Sequence, residues 1–142
     1  MLTRPVAVLI RNQVMLTLPP QATVRTACQR MRERYVGSVV VADERGHLLG
    51  IFTERDAVCR VLAESRDADR TALAEVMTTG VATVPPQATA LEALRLMQDG
   101  GFRHVPVVIA GGRVVGIVSY TDFRGQEHAR LEHETELFET LR

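Results

Sequence analysis

The 142 residues include neither lysine nor tryptophan, aromatic side chains make up 4%, and cysteine occurs twice, at Cys28 and Cys59. Without lysine, all 17 basic residues are arginine, and 17 acidic residues balance them to a net charge of zero. A neutral chain has no broad positive field for unspecific attachment to nucleic acid or an acidic membrane, so any anion it binds must be held by a local site. The all-arginine bias is assigned to coding bias more than to a need for forked phosphate donors. The two cysteines form no close-spaced pair and fall inside apolar helical patterns. A disulfide framework or zinc knuckle is therefore not expected; both read as small core residues in a reducing compartment. Long apolar runs are missing too. Val6 to Ile10, after Arg4, is stopped by Arg11-Asn12-Gln13, short of a signal-peptide core and of a membrane span, so a cytoplasmic protein is expected.

What the chain does have is a repeat. Thr17 to Asp56 aligns without a gap on Thr83 to Asp122 at a constant offset of 66, with 14 identities in 40 positions. They include Thr17-x-Pro19-Pro20-Gln21-Ala22-Thr23 against Thr83-x-Pro85-Pro86-Gln87-Ala88-Thr89, Met31/Met97, Val39/Val105, Val41/Val107, Gly46/Gly112, Gly50-Ile51/Gly116-Ile117 and Asp56/Asp122. Two copies are too few for a solenoid, and the simplest way to bury both apolar faces is one copy against the other about a pseudo-two-fold axis.

Both copies read alike. A short strand, Val14 to Leu18 or Val81 to Val84, runs into Pro-Pro, and Thr23 or Thr89 then caps a helix. Glu92 completes a capping box with Thr89, whereas the first copy has Thr26 there. Val24, Ala27, Cys28 and Met31, matched by Ala90, Ala93, Leu94 and Met97, have the spacing of a helical core face. Two hairpins follow: Val39 to Ala42 with Leu48 to Phe52, and Val105 to Ile109 with Val114 to Val118. Pro106 cannot donate to a ladder, so its strand is expected to have an unpaired side there. A second helix starts after Thr53 or Ser119, and in the first copy carries Val58, Val61 and Leu62 before a polar linker, residues 64–70. The predicted unit is β-α-β-β-α, twice: an α/β (α+β) fold with repeats over 4–63 and 71–125 and an amphipathic helix over 126–142.

Chemistry concentrates at the exits of the hairpins, Gly50-Ile51-Phe52-Thr53-Glu54-Arg55-Asp56 and Gly116-Ile117-Val118-Ser119-Tyr120-Thr121-Asp122. A hydroxyl followed three residues later by a carboxylate fits a capping box, worth about 1 kcal/mol per helix. The same atoms admit a second use, since a helix N-terminus favours phosphate and a nearby carboxylate can accept both hydroxyls of a ribose.

These features together resemble a CBS-domain pair, the tandem regulatory module called after cystathionine β-synthase. The resemblance runs from about Arg4 to Arg124. It rests on the two Pro-Pro-Gln-Ala-Thr entries, on Gly37-Ser38-Val39-Val40-Val41 and Arg103-His104-Val105-Pro106-Val107, and on the closing Gly-Ile-x-(Thr/Ser)-x-x-Asp segments. It implies a free-standing pair, its repeats packed through their sheets, with a cleft between them for an adenosine-containing ligand: AMP, ADP, ATP, NAD(H) or S-adenosylmethionine. By the same resemblance Asp56 and Asp122 match the ribose-binding carboxylate and Thr53 and Ser119 the hydroxyl at the helix start. Thr121 matches a further hydroxyl beside that carboxylate, where the first copy has Arg55. Arg103 and His104 stand where phosphate-contacting basic residues are found, while the first copy has Gly37 and Ser38. The family's swapped arrangement would assign Arg103 and His104 to the site of Asp56, making that the better phosphate site. A homodimer is implied as well, with a change of angle between its halves as the signal to an effector protein.

No obligatory cofactor, metal set or nucleophile with a base is legible, so the expectation is a non-catalytic sensor, not an enzyme. His128, Glu132 and His133 do not have metal-ligand spacing, and Leu131, Leu137, Phe138 and Leu141 read instead as an apolar stripe. The competing expectation is a ligand-free dimerisation or protein-interaction scaffold. Zero net charge and the lack of a recognition helix disfavour nucleic acid as a partner.

Overall fold

A computed structural model describes residues 4–123. The elements in chain order are α1 (Val6–Leu9), β1 (Thr17–Leu18), α2 (Val24–Arg34), β2 (Ser38–Ala42), β3 (Leu48–Thr53) and α3 (Glu54–Asp56), which continues into a π-helical turn, Ala57–Leu62. After these come α4 (Leu73–Val76), α5 (Ala90–Gly100), β4 (His104–Val108), β5 (Val114–Ser119) and a 3-10 turn, Tyr120–Asp122. Mixed helix and strand around small sheets is the α+β class expected from the sequence. The apolar tail stripe, Leu131 to Leu141, lies outside the described residues.

The chain forms two compact units. One draws on Val14–Val81 and Ile109–Val115, and the rest of the described chain forms the other.

In the first unit β1 pairs in parallel with β2, and β2 pairs antiparallel with β3. The hydroxyl of Thr23 accepts the Thr26 amide at 3.2 Å, which starts α2, as the sequence indicated. Val24, Ala27 and Met31 of α2 bury against Leu16, Val39, Val41, Phe52, Val61, Leu73 and Val76. At the hairpin turn Gly46 has φ of 81°, a left-handed conformation that suits glycine. Asp43 accepts the amides of Arg45 and His47 there, both at 2.9 Å. The tip residues 109–115 add to this corner, with Val114 N–H donating to the Gly46 carbonyl at 3.0 Å and Leu48 N–H to the Gly112 carbonyl at 3.2 Å.

The segment after the polar linker folds back onto this unit. Leu73 and Ala74 donate backbone N–H groups to the Ala22 and Pro20 carbonyls, both at 2.9 Å, and Val24 donates to Thr71 at 3.0 Å. In the second unit α1 makes the same three bonds. Val6 donates to Ala88 at 2.7 Å, Ala7 to Pro86 at 2.9 Å, and Ala90 to Arg4 at 2.8 Å. Each Pro-Pro-Gln-Ala-Thr turn thus receives a short helix that precedes the other repeat in the sequence. Leu73 and Val6, both fully buried, are the apolar side chains those helices deliver.

Several details differ from the sequence expectations. The strand predicted over Val14–Leu18 is reduced to Thr17–Leu18, and the one over Val81–Val84 to a single parallel bridge between Val84 and Val107. The cause in the second copy is Pro106. Its counterpart Val40 donates to the Leu16 carbonyl at 2.9 Å, a bond for which Pro106 has no N–H. That side is not open as expected, since Val84 N–H donates to the Pro106 carbonyl at 3.1 Å and Val108 N–H to the Val84 carbonyl at 2.9 Å; what is missing is the one bond that Pro106 cannot donate. Of the apolar residues after Thr53 only Val61 is buried, while Val58 and Leu62 are 56% and 74% exposed. Cys59, read as a core residue, is also exposed, because the π-helical turn directs Val61 alone into the core. Cys28 is half-buried, and burial pushes its thiol pKa up. Finally, the helix expected after Ser119 is, as far as Asp122, a single 3-10 turn.

Candidate functional site

Each hairpin leaves its sheet through the same turn. In the first unit Thr53 is the last residue of β3, and its hydroxyl accepts the Asp56 amide at 3.2 Å while Asp56 Oδ2 accepts the Thr53 amide at 3.0 Å. The Glu54 amide donates to the Gly37 carbonyl at 3.1 Å, tying the turn to the start of β2. In the second unit Asp122 Oδ2 accepts the Ser119 amide at 2.7 Å, and Ser119 Oγ accepts from the Thr121 amide at 3.4 Å. The Tyr120 amide donates to the Arg103 carbonyl at 2.8 Å, the equivalent of the Glu54 bond. Both segments are therefore capping boxes, as their spacing predicted.

Beyond that shared frame the turns differ. Asp56 is 7% exposed. Its carboxylate accepts the Thr78 hydroxyl at 3.1 Å on Oδ1 and 3.2 Å on Oδ2, and Arg60 Nε stands 3.5 Å from Oδ1. Asp122 is exposed, and among the described residues its side chain accepts only the Ser119 amide. The Ser119 and Thr121 hydroxyls lie 3.1 Å apart beside it. Arg103 is exposed, and its guanidinium carbon sits 4.2 Å from the centroid of the Tyr120 ring, within the same unit. No carboxylate of the described residues pairs with this guanidinium, which keeps its forked N–H donors beside an aromatic ring. The half-buried His104 follows as the first residue of β4. In the first unit the corresponding corner has Gly37 and the buried Ser38, and Arg55 projects as an exposed side chain on α3. Ser119, Thr121 and Asp122 thus share one turn, to which Arg103 is joined through Tyr120, and Thr53 and Asp56 share the other.

Three residues not singled out in the sequence support these turns. Thr78 pairs its backbone with Ile51 in both directions, at 3.0 and 2.8 Å, and adds its hydroxyl to Asp56. Arg60 donates to the Met77 carbonyl at 3.0 Å while facing Asp56, a relation that the i, i+4 spacing could have suggested. In the second unit Gln13 replaces a strand residue by its side chain. Its Nε2 donates to the Ile117 carbonyl at 2.7 Å and its Oε1 accepts the Ile117 amide at 2.9 Å. Gly50 and Gly116 make room for these segments. A Cβ on Gly50 would lie 2.6 Å from the Thr78 carbonyl oxygen, and one on Gly116 would lie 2.8 Å from Ile10. Among the described residues no cluster of His, Cys, Asp and Glu could hold a metal ion, and no helix is long and apolar enough to cross a membrane.

The CBS domain family model matches residues 3–62 and 73–127. The chain belongs to the CBS-domain family. An uncharacterized protein of Methanopyrus kandleri is 34% identical over 132 residues, covering 91% of this chain and 67% of that protein. A CBS domain-containing protein of Arabidopsis thaliana, CBSCBSPB3, is 37% identical over 127 residues, 89% of this chain but 23% of the plant protein. The chain therefore spans two thirds of one relative and less than a quarter of the other. Among solved structures, a CBS-domain containing protein from Agrobacterium tumefaciens has a TM-score of 0.74 at 32% identity, covering 83% of this chain and 94% of that one. The CBS domain protein PAE2072 from Pyrobaculum aerophilum, complexed with AMP, has a TM-score of 0.80 at 24% identity over 91% and 98% of the two chains. The CBS domain pair of protein MJ0100, in complex with 5'-methylthioadenosine and S-adenosyl-L-methionine, has a TM-score of 0.76 at 24% identity over 94% and 98%. At that identity the last two establish a common fold.

Proposed function

We propose that this CBS-domain pair is a non-catalytic sensor of an adenosine-containing nucleotide, with the ribose held by Asp122 or Asp56. The observation that carries the reading is the Asp122 corner: an exposed carboxylate with an oxygen to spare, two hydroxyls beside it, and the Arg103 fork on the Tyr120 ring. A carboxylate is suited to a vicinal diol and a guanidinium to a phosphate, so the corner presents complementary groups to both parts of a nucleotide. Arg103, His104, Ser119, Thr121 and Asp122 form the second-repeat set, and Thr53, Arg55 and Asp56 the first. AMP in the Pyrobaculum protein, and 5'-methylthioadenosine with S-adenosyl-L-methionine in MJ0100, support an adenosyl ligand on this fold. AMP, ADP, ATP, NAD(H) and S-adenosylmethionine share the ribose, so the diol contact applies to each of them. The sequence expectation ranked Asp56 first; the number of groups already on that carboxylate favours Asp122 instead.

A cytoplasmic homodimer that signals to an effector protein is part of the same proposal. A second reading, a ligand-free dimerisation or interaction scaffold, draws on the exposed apolar residues Tyr35, Val58 and Leu62. Thermal shift against AMP, ATP, NAD and S-adenosylmethionine separates the two, because a ligand that binds only the folded state raises the melting temperature with concentration. A sensor responds to at least one of the four. A scaffold responds to none.

A further inference from the structure

We infer that Thr78 is a latch on Asp56, and that it determines which repeat takes the ligand. The inference rests on the adenosyl reading and adds an order of occupancy to it. A ribose diol brings two O–H donors to a carboxylate. On Asp56, which is 7% exposed, part of that accepting capacity is already taken by an amide and by one hydroxyl shared between the two oxygens. Oδ2 accepts the Thr53 amide at 3.0 Å and the Thr78 hydroxyl at 3.2 Å, and Oδ1 accepts the same hydroxyl at 3.1 Å with Arg60 Nε 3.5 Å away. Asp122 has the Ser119 amide alone among the described residues. Aspartates at equivalent positions of the two turns are therefore unequal acceptors, and the extra donor on Asp56 comes from a segment outside the aligned repeat.

The second copy lacks that hydroxyl for a structural reason. Thr78 reaches the turn because its backbone pairs with Ile51. At the equivalent Ile117 the pairing partner is the side-chain amide of Gln13, which uses both its donor and its acceptor on the Ile117 backbone. The same supporting bonds are made, and among the described residues no hydroxyl donates to the Asp122 carboxylate. Replacing the Thr78 hydroxyl on Asp56 by ligand requires breaking a hydrogen bond to a buried charge, whereas the exposed Asp122 carboxylate has no such side-chain bond to break among the described residues.

The test combines a ligand-free readout with a binding readout. Carboxylates of the full chain are labelled with a water-soluble carbodiimide and glycinamide, and labelling at Asp56 and Asp122 is followed by peptide mass spectrometry. The latch predicts that Asp122 labels about tenfold faster or more in the wild type, that Thr78→Val raises the Asp56 rate, and that Thr78→Ser, which keeps the hydroxyl, restores protection. In parallel, AMP is titrated by calorimetry. The wild type binds one equivalent, lost in Asp122→Ala, and Thr78→Val gains a second event that Asp56→Ala removes. Equal labelling of the two acids in the wild type, or a Thr78→Val chain with unchanged Asp56 labelling or weakened AMP binding, overturns the latch. If labelling is unequal as stated yet no variant binds AMP or S-adenosylmethionine, the adenosyl reading and the ligand-ordering role of Thr78 fall together.

Discussion

Tyr35 and Gly101 are equivalent by the 66-residue offset, and both end a helix in the left-handed region, at φ of 53° and 71°. Gly101 meets no cost there, but Tyr35 carries a Cβ that crowds its own carbonyl and is 96% exposed, so no packing offsets the strain. Tyr35→Gly is accordingly expected to stabilise the protein by about 0.5–1 kcal/mol, read as a higher melting temperature. A fall would mean that the ring makes a stabilising contact in solution. At this scale the sequence was most informative about local pairs. Thr53 with Asp56, Ser119 with Asp122 and Thr89 with Glu92 were legible because three-residue spacing alone places hydroxyl and carboxylate across a helix start. Thr78 was not legible. It lies 22 residues from Asp56 and enters the turn through a backbone bridge to Ile51 that no periodicity encodes.

The elements outside the aligned copies were the least legible. Arg4–Leu9 and Thr71–Val76 do equivalent work, yet between Arg-Pro-Val-Ala-Val-Leu and Thr-Ala-Leu-Ala-Glu-Val only Ala7 and Ala74 coincide. The backbone makes the bonds, so the side chains are little constrained beyond the buried Val6 and Leu73. Pro106 had the opposite character: a single residue type announced a missing donor, and the ladder fails where that donor would have been. The account of Gln13 as a side-chain substitute for a strand is checked by Gln13→Ala. It removes two hydrogen bonds to Ile117, and a loss of about 1–2 kcal/mol is expected in denaturant unfolding, with Asn12→Ala as the control. An unchanged midpoint would show that water satisfies Ile117 equally well.

For the molecule as a whole, acid stability follows from two carboxylates in the first unit. Asp43 is held below its ordinary value of 3.8, chiefly by the His47 amide and also by that of Arg45. Asp69 is lowered from 3.8 by its hydrogen bond and ion pair with Arg25, Nε to Oδ1 at 2.9 Å. A carboxyl whose pKa is lower folded than unfolded stabilises the fold fully above the unfolded value, and that contribution is lost as pH falls through the folded value. Asp69 is exposed and Asp43 half-exposed, so solvent screening keeps the effect small. The melting temperature of Asp43→Asn should lie below wild type at neutral pH, and the two should converge below about pH 3.8. A constant difference across that range would refute the electrostatic cause.

The functional account depends on the two acids at the hairpin exits. Calorimetric titration of wild type and the Asp56→Ala, Asp122→Ala double variant with AMP and S-adenosylmethionine tests it most directly, with circular dichroism to verify that both are folded. The wild type is expected to bind at least one of these compounds saturably, and the double variant none. Equal binding by both proteins would contradict it.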